Sequence, residues 1–166
     1  MKLIRIVGIS ELNALVKDGC VYPIKDRKCL YFFPARNERI KEYKGDAEWQ
    51  EVPYRLLYLA GIVSSYYTSK LSGKFIRFFI CLNLEIYKKR LQPSWETYAD
   101  PYGSFFDTIT NCEFHLTDGY DRAAVKSIDI YAEAALFEYA DKIKTFTDIE
   151  EAKKWIEDLG DCDEDF

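Results

Sequence analysis

The sequence predicts a single α+β domain with a central, mostly antiparallel or mixed sheet and flanking helices, and three observations predict it. Strand-like and helix-like segments follow one another without the strict βαβ rhythm of a doubly wound sheet. Residues 75–84 are apolar on both faces, as a strand inside a sheet must be. The chain has 166 residues, 48% hydrophobic and 16% aromatic, which is enough for one core and short for two. The expected division is a domain over 1–160 followed by an acidic, disordered tail over 161–166.

Residues 3–7 read as a strand. Ser10 stands as an N-cap before Leu12, Leu15 and Val16, with Gly19 where a helix would stop. Residues 29–33 form a buried-strand run ended by Pro34, and 35–46 are charged and read as a loop. Pro53 suits the first turn of a helix in which Leu56, Leu57, Ala60, Val63 and Tyr67 share a face, ending near Ser72-Gly73. Residues 75–84 follow as the central strand, then a short helix around 85–91. The stretch 92–107 mixes Pro93, Pro101 and Gly103 with five aromatics, a loop that packs over something.

Residues 112–117 alternate Glu113, His115 and Thr117 against Cys112, Phe114 and Leu116, the period of a strand with one polar face, turned by Asp118-Gly119. Asp121 can cap one helical turn. Residues 127–131 return as a strand with Ile128 and Ile130 on one face. Thr147-x-x-Glu150 is a capping box for a helix carrying Ile149, Ala152, Ile156 and Leu159, stopped by Gly160.

Charge narrows the function classes. The net charge is −5, but six acids fall in the last ten residues, so the remainder is close to neutral and lacks the basic field of a nucleic-acid-binding domain. The five cysteines are scattered and never spaced C-x-x-C, so neither a disulfide framework nor a zinc site is expected. Hydrophobic runs are too short to span a bilayer, and the amino terminus lacks the apolar core of a secretory signal, so a cytoplasmic protein is expected. Arg36, Arg39, Lys41 and Lys44 read as a solvated loop or as a contact for substrate phosphates.

No phosphate-cradling glycine loop, paired-histidine metal motif or nucleophile elbow is present. Two polar placements remain: Arg5 interrupts the first strand, and Glu113 sits beside His115 on the polar face of a late one. Residues 3–10, then Leu12-x-x-Leu15 and Asp18-Gly19, resemble the start of ADP-ribosyltransferase-superfamily domains of the DNA-targeting toxin and RNA 2′-phosphotransferase kind. The segment 112–116, followed by Val125, Ile128 and Ile130, is similar to their closing unit. The pattern covers about a quarter of the chain.

The resemblance implies NAD as a substrate, no metal, and a protein or nucleic-acid acceptor. It makes Glu113 the catalytic carboxylate that holds the ribose hydroxyls and orients the nucleophile, and Arg5 the contact for the pyrophosphate. Ser64, Ser65 and Tyr66, with Thr68, are candidates for the middle cofactor-binding motif because they lie between the two segments. Many relatives place His where this chain has Arg5. Read without the resemblance, Arg5 pairs with a neighbouring carboxylate at the sheet edge, and Glu113 with His115 is the wet face of an antiparallel strand. The alternative function is a non-enzymatic binding module, an inhibitor or accessory factor, that holds a protein partner with its aromatic loop and acidic tail.

Overall fold

The structure, a computed structural model, describes residues 1–24, 30–34, 39–45, 48–53, 66–93, 114–133, 141–160 and 163–165. The order is β1 (Lys2–Val7), α1 (Ile9–Lys17), β2 (Cys20–Val21), β3 (Leu30–Pro34), β4 (Arg39–Gly45), β5 (Glu48–Pro53), β6 (Tyr66–Leu71), β7 (Lys74–Glu85) and β8 (Gln92–Pro93). Then come β9 (Phe114–Leu116), β10 (Tyr120–Asp121), β11 (Val125–Ala132), β12 (Lys142–Phe146), α2 (Ile149–Asp158) and β13 (Asp163–Asp165). Single 3-10 turns occupy Lys88–Arg90 and Arg122–Ala124.

The main sheet runs β12-β11-β7-β1-β3-β9-β8, and every described pairing in it is antiparallel. The twelve-residue β7 is its spine. Along one edge it pairs with β11. Along the other it pairs first with β6, from Lys74 to Phe78, and then with β1, from Ile80 to Glu85. The expectation of a central strand over 75–84 holds, with Ile80 and Leu82 fully buried. Phe78, Ile80, Leu82 and Leu84 lie on one face with Leu3, Val7, Ile128 and Ile130. The two helices among the described residues close over that face through Leu12 and Leu15 of α1 and Ile149, Ala152 and Ile156 of α2. Phe79, Cys81, Ile4 and Tyr131, on the opposite face, are buried too. Among the described residues no helix is long and apolar enough to cross a membrane.

Several local readings change. The helix expected to end near Ser72-Gly73 gives way, over its last turns, to β6. Ser72 and Gly73 have φ of 50° and 82° and join Leu71 to its partner Lys74, the two-residue turn with both φ positive that a tight hairpin requires. Tyr67 therefore enters the core from a strand, not from a helix face. Pro53 ends β5, and Arg39–Gly45, inside the expected loop, pairs with β5 as a hairpin. The first helix begins at Ile9 with Gly8 as its N-cap, so Ser10 lies within its first turn. In α2 the cap is Asp148, whose carboxylate accepts the Glu150 N–H at 2.8 Å, one residue later than the expected Thr147. The strand β12 was not foreseen. Nor was β13: three residues of the segment expected to be a disordered tail pair with β6, Asp163 opposite Thr68 and Asp165 opposite Tyr66.

Candidate functional site beneath the first helix

Strand alternation places Arg5 on the same face as Leu3 and Val7, the face that α1 covers. Gly8, extended at φ −89° and ψ 170°, turns the chain directly from β1 into α1, so Glu11 in the first helical turn comes down beside Arg5. The pair is bidentate: Arg5 Nε donates to Glu11 Oε1 at 2.8 Å and Nη2 donates to Oε2 at 3.0 Å. Tyr120 Oη donates to the same Oε1 at 2.7 Å. The guanidinium lies 5.5 Å from the Phe32 ring centre, and Phe32 meets Tyr120 edge to face at 5.8 Å. Arg5 and Glu11 each keep 15% side-chain exposure.

Protonation follows from this packing. Burial works to lower the Arg5 pKa, but the Glu11 hydrogen bond and charge outweigh it and raise the value, so Arg5 stays a cation. For Tyr120, burial first and the Glu11 carboxylate second push the phenol well above its ordinary value. Within this triad Arg5 is thus a cation and Tyr120 a neutral phenol.

Tyr120 is held by a small ribbon in which it pairs with Val21, and Asp121 with Cys20. Gly119 before it has φ 83°, and a Cβ there would collide with the Val21 carbonyl oxygen and lie 2.8 Å from the Tyr22 ring. Arg90 Nη2 pins the Gly119 carbonyl at 2.7 Å. Between this ribbon and α1 opens a cavity of about 570 Å³ lined by Arg5, Ser10, Glu11, Cys20, Tyr22 and Ile24 among others. A smaller one of about 160 Å³ shares Cys20 and Tyr22.

Of the residues singled out in the sequence, Arg5 lies in this cavity. Its partner is a carboxylate, as the plainer reading expected, but in the interior under a helix and not at a sheet edge. Glu113, Ser64 and Ser65 lie outside the described residues, as does the aromatic stretch 95–106. Tyr66 opens β6, on the far side of β7 from β11. Glu11 and Tyr120 escaped sequence reasoning. A first-turn acid six residues after an arginine on the preceding strand, and a tyrosine directly after Asp-Gly, are the signals that could have found them.

A second polar group lies on the opposite face of the sheet. Asp129 of β11 is 2% exposed. Its Oδ1 accepts from Thr145 Oγ1 at 2.7 Å, and its Oδ2 accepts from Asn83 Nδ2 at 2.9 Å and Tyr131 Oη at 3.4 Å, with Lys142 Nζ 3.7 Å away. One carboxylate thereby ties together β7, β11 and β12. Among the described residues no cluster of His, Cys, Asp and Glu is placed to hold a metal ion. No family model matches the chain, and neither does any curated protein or solved structure.

Proposed function

We propose that the cavity beneath α1 is a ligand site of nucleotide size, and that the chain acts on NAD as an ADP-ribosyltransferase-like enzyme of the cytoplasm. One observation carries this reading. A cavity of about 570 Å³ is lined in part by Arg5, Ser10 and Asp18, residues of the opening segment that carries the first half of the resemblance. Its volume falls within the roughly 300–1,000 Å³ typical of small-molecule sites. Tyr22, 67% exposed at its rim, offers an aromatic face to a base or nicotinamide ring.

The Arg5–Glu11 pair gives the proposed phosphate contact a specific form. Arg5 is an already partnered cation, so a pyrophosphate oxygen reaches it by taking the place of a Glu11 oxygen, while the Tyr120 hydroxyl keeps its hold on the displaced carboxylate. Glu113 is assigned the catalytic carboxylate, which holds the ribose hydroxyls as positive charge develops on the ribose ring and the bond to nicotinamide breaks. The acceptor is a macromolecule.

A second reading is favoured by the same ion pair. With Arg5 engaged by Glu11, and with Tyr22 and Ile24 exposed at 67% and 64%, the cavity rim suits a non-enzymatic module that grips a protein partner. Titration calorimetry with NAD and an assay for nicotinamide release separate the two. The enzyme reading expects saturable binding, and release that falls roughly 10²–10³-fold on Glu113→Gln. A chain that neither binds NAD nor releases nicotinamide is the binding module.

A further inference from the structure

We propose that Tyr67 is a positioning residue for the cavity beneath α1: its buried hydroxyl fixes where the helix starts, and so where the helical wall of the cavity stands. That wall consists of Ser10, Glu11 and Ala14, the first two directly following Ile9. The helix start supplies no side-chain anchor of its own. Its N-cap, Gly8, has no side chain to accept a hydrogen bond, and the first amides of a helix have no partner within it. The Ile9 N–H donates instead to Tyr67 Oη, at 2.8 Å and 58 residues along the chain.

Tyr67 suits that task because it is itself held firmly. It is 1% exposed, its backbone pairs with Phe78 of the central strand, and its ring meets that of Phe78 at 5.7 Å between centres. Leu12 and Leu15 press α1 onto the sheet, but apolar contact is non-directional and tolerates a slide or a roll. A hydrogen bond is directional and weakens steeply off its line. Arg5 is set by β1, opposite Leu82. Each residue of slip along a helix turns its side chains by about 100°. The amide that Tyr67 holds therefore decides whether Glu11 meets the Arg5 guanidinium in its bidentate pair or faces away from it. That Tyr67 places Glu11 stands on these contacts; that it thereby governs affinity for NAD rests on the nucleotide reading above.

Tyr67→Phe keeps the ring and removes the hydroxyl. Ser69→Ala is its control, because Ser69 also lies on β6 but its Oγ donates to the Leu159 carbonyl at the end of α2, at 3.3 Å. Titration calorimetry at a temperature where each variant is folded should show NAD binding about tenfold weaker in Tyr67→Phe and unchanged in Ser69→Ala. Equal or tighter binding by Tyr67→Phe, or the same weakening by Ser69→Ala, would overturn the proposal. A second measurement uses no ligand. In urea unfolding, Tyr67→Phe should shift the folding equilibrium at least about threefold less when Glu11 is already replaced by glutamine than in the wild type. Shifts that simply multiply would make the hydroxyl an ordinary helix cap and end the proposal. A wild type that binds no NAD refutes the nucleotide reading instead, and the unfolding cycle then decides the role of Tyr67 by itself.

Discussion

Replacing Arg5 by alanine should cost the fold about 3 kcal/mol. The substitution removes two hydrogen bonds to Glu11, at 2.8 and 3.0 Å, and the contact with Phe32. It leaves the Glu11 carboxylate under α1 with the Tyr120 hydroxyl as its remaining partner in the triad. Breaking a buried ion pair from one side costs about 3–5 kcal/mol, and the 15% exposure that each side chain retains places this pair at the lower end. Such a loss changes the folding equilibrium about a hundredfold. Glu11→Ala should cost a similar amount, because it removes the carboxylate that accepts both of these Arg5 hydrogen bonds. The double variant Arg5→Met, Glu11→Leu strands neither charge and should be less damaged than the two single losses added together, with a coupling of about 1–3 kcal/mol. Urea unfolding followed by circular dichroism measures all three. If Arg5→Ala costs less than about 1 kcal/mol, or the losses simply add, the pair is not the floor of a built cavity and the reasoning is wrong.

On the opposite face, Asp129→Ala removes the buried carboxylate that Asn83, Thr145 and Tyr131 share as an acceptor and should cost about 3 kcal/mol in the same measurement, with Thr145→Val costing about 1. Gly119→Ala meets both a positive φ and the Val21 carbonyl, so a loss of at least about 1–3 kcal/mol is expected. The raised Tyr120 pKa sets an alkaline limit. The folded chain keeps this proton where the unfolded one, at a pKa of roughly 10, has lost it. Its contribution is whole below that pH and shrinks as pH rises above it, so unfolding free energy should fall from about pH 10 upward, and less steeply in Tyr120→Phe.

The parts of the fold that were legible are those where a single physical demand fixes the residue pattern. Residues 75–84 need cover on both faces, so a central strand could be read directly, and Ile128 and Ile130 mark a half-buried return by simple alternation. What escaped were places where one signal serves two structures. Ser72-Gly73 satisfies a helix stop and a tight hairpin equally well, and the apolar spacing up to Tyr67 matched a helical face although Tyr67 reaches the core from a strand. Gly160 and the acids after it look like a solvated end, because edge pairing by backbone leaves little trace in side-chain types. At the site, Arg5 was visible as a charge interrupting a strand. Glu11 was not, since a polar residue in a first helical turn ordinarily faces water, and only the sharp passage through Gly8 brings it onto Arg5. Asp129 fell on the face opposite Ile128 and Ile130, which alternation alone assigns to solvent.

The most direct test of the account is amide hydrogen exchange of the wild-type chain with and without saturating NAD. A nucleotide held in the cavity should slow exchange over Ser10 to Ile24, where α1 and β2 line it, with β12 and α2 unchanged. Unaltered exchange at those positions, or protection confined to another face of the sheet, would contradict it.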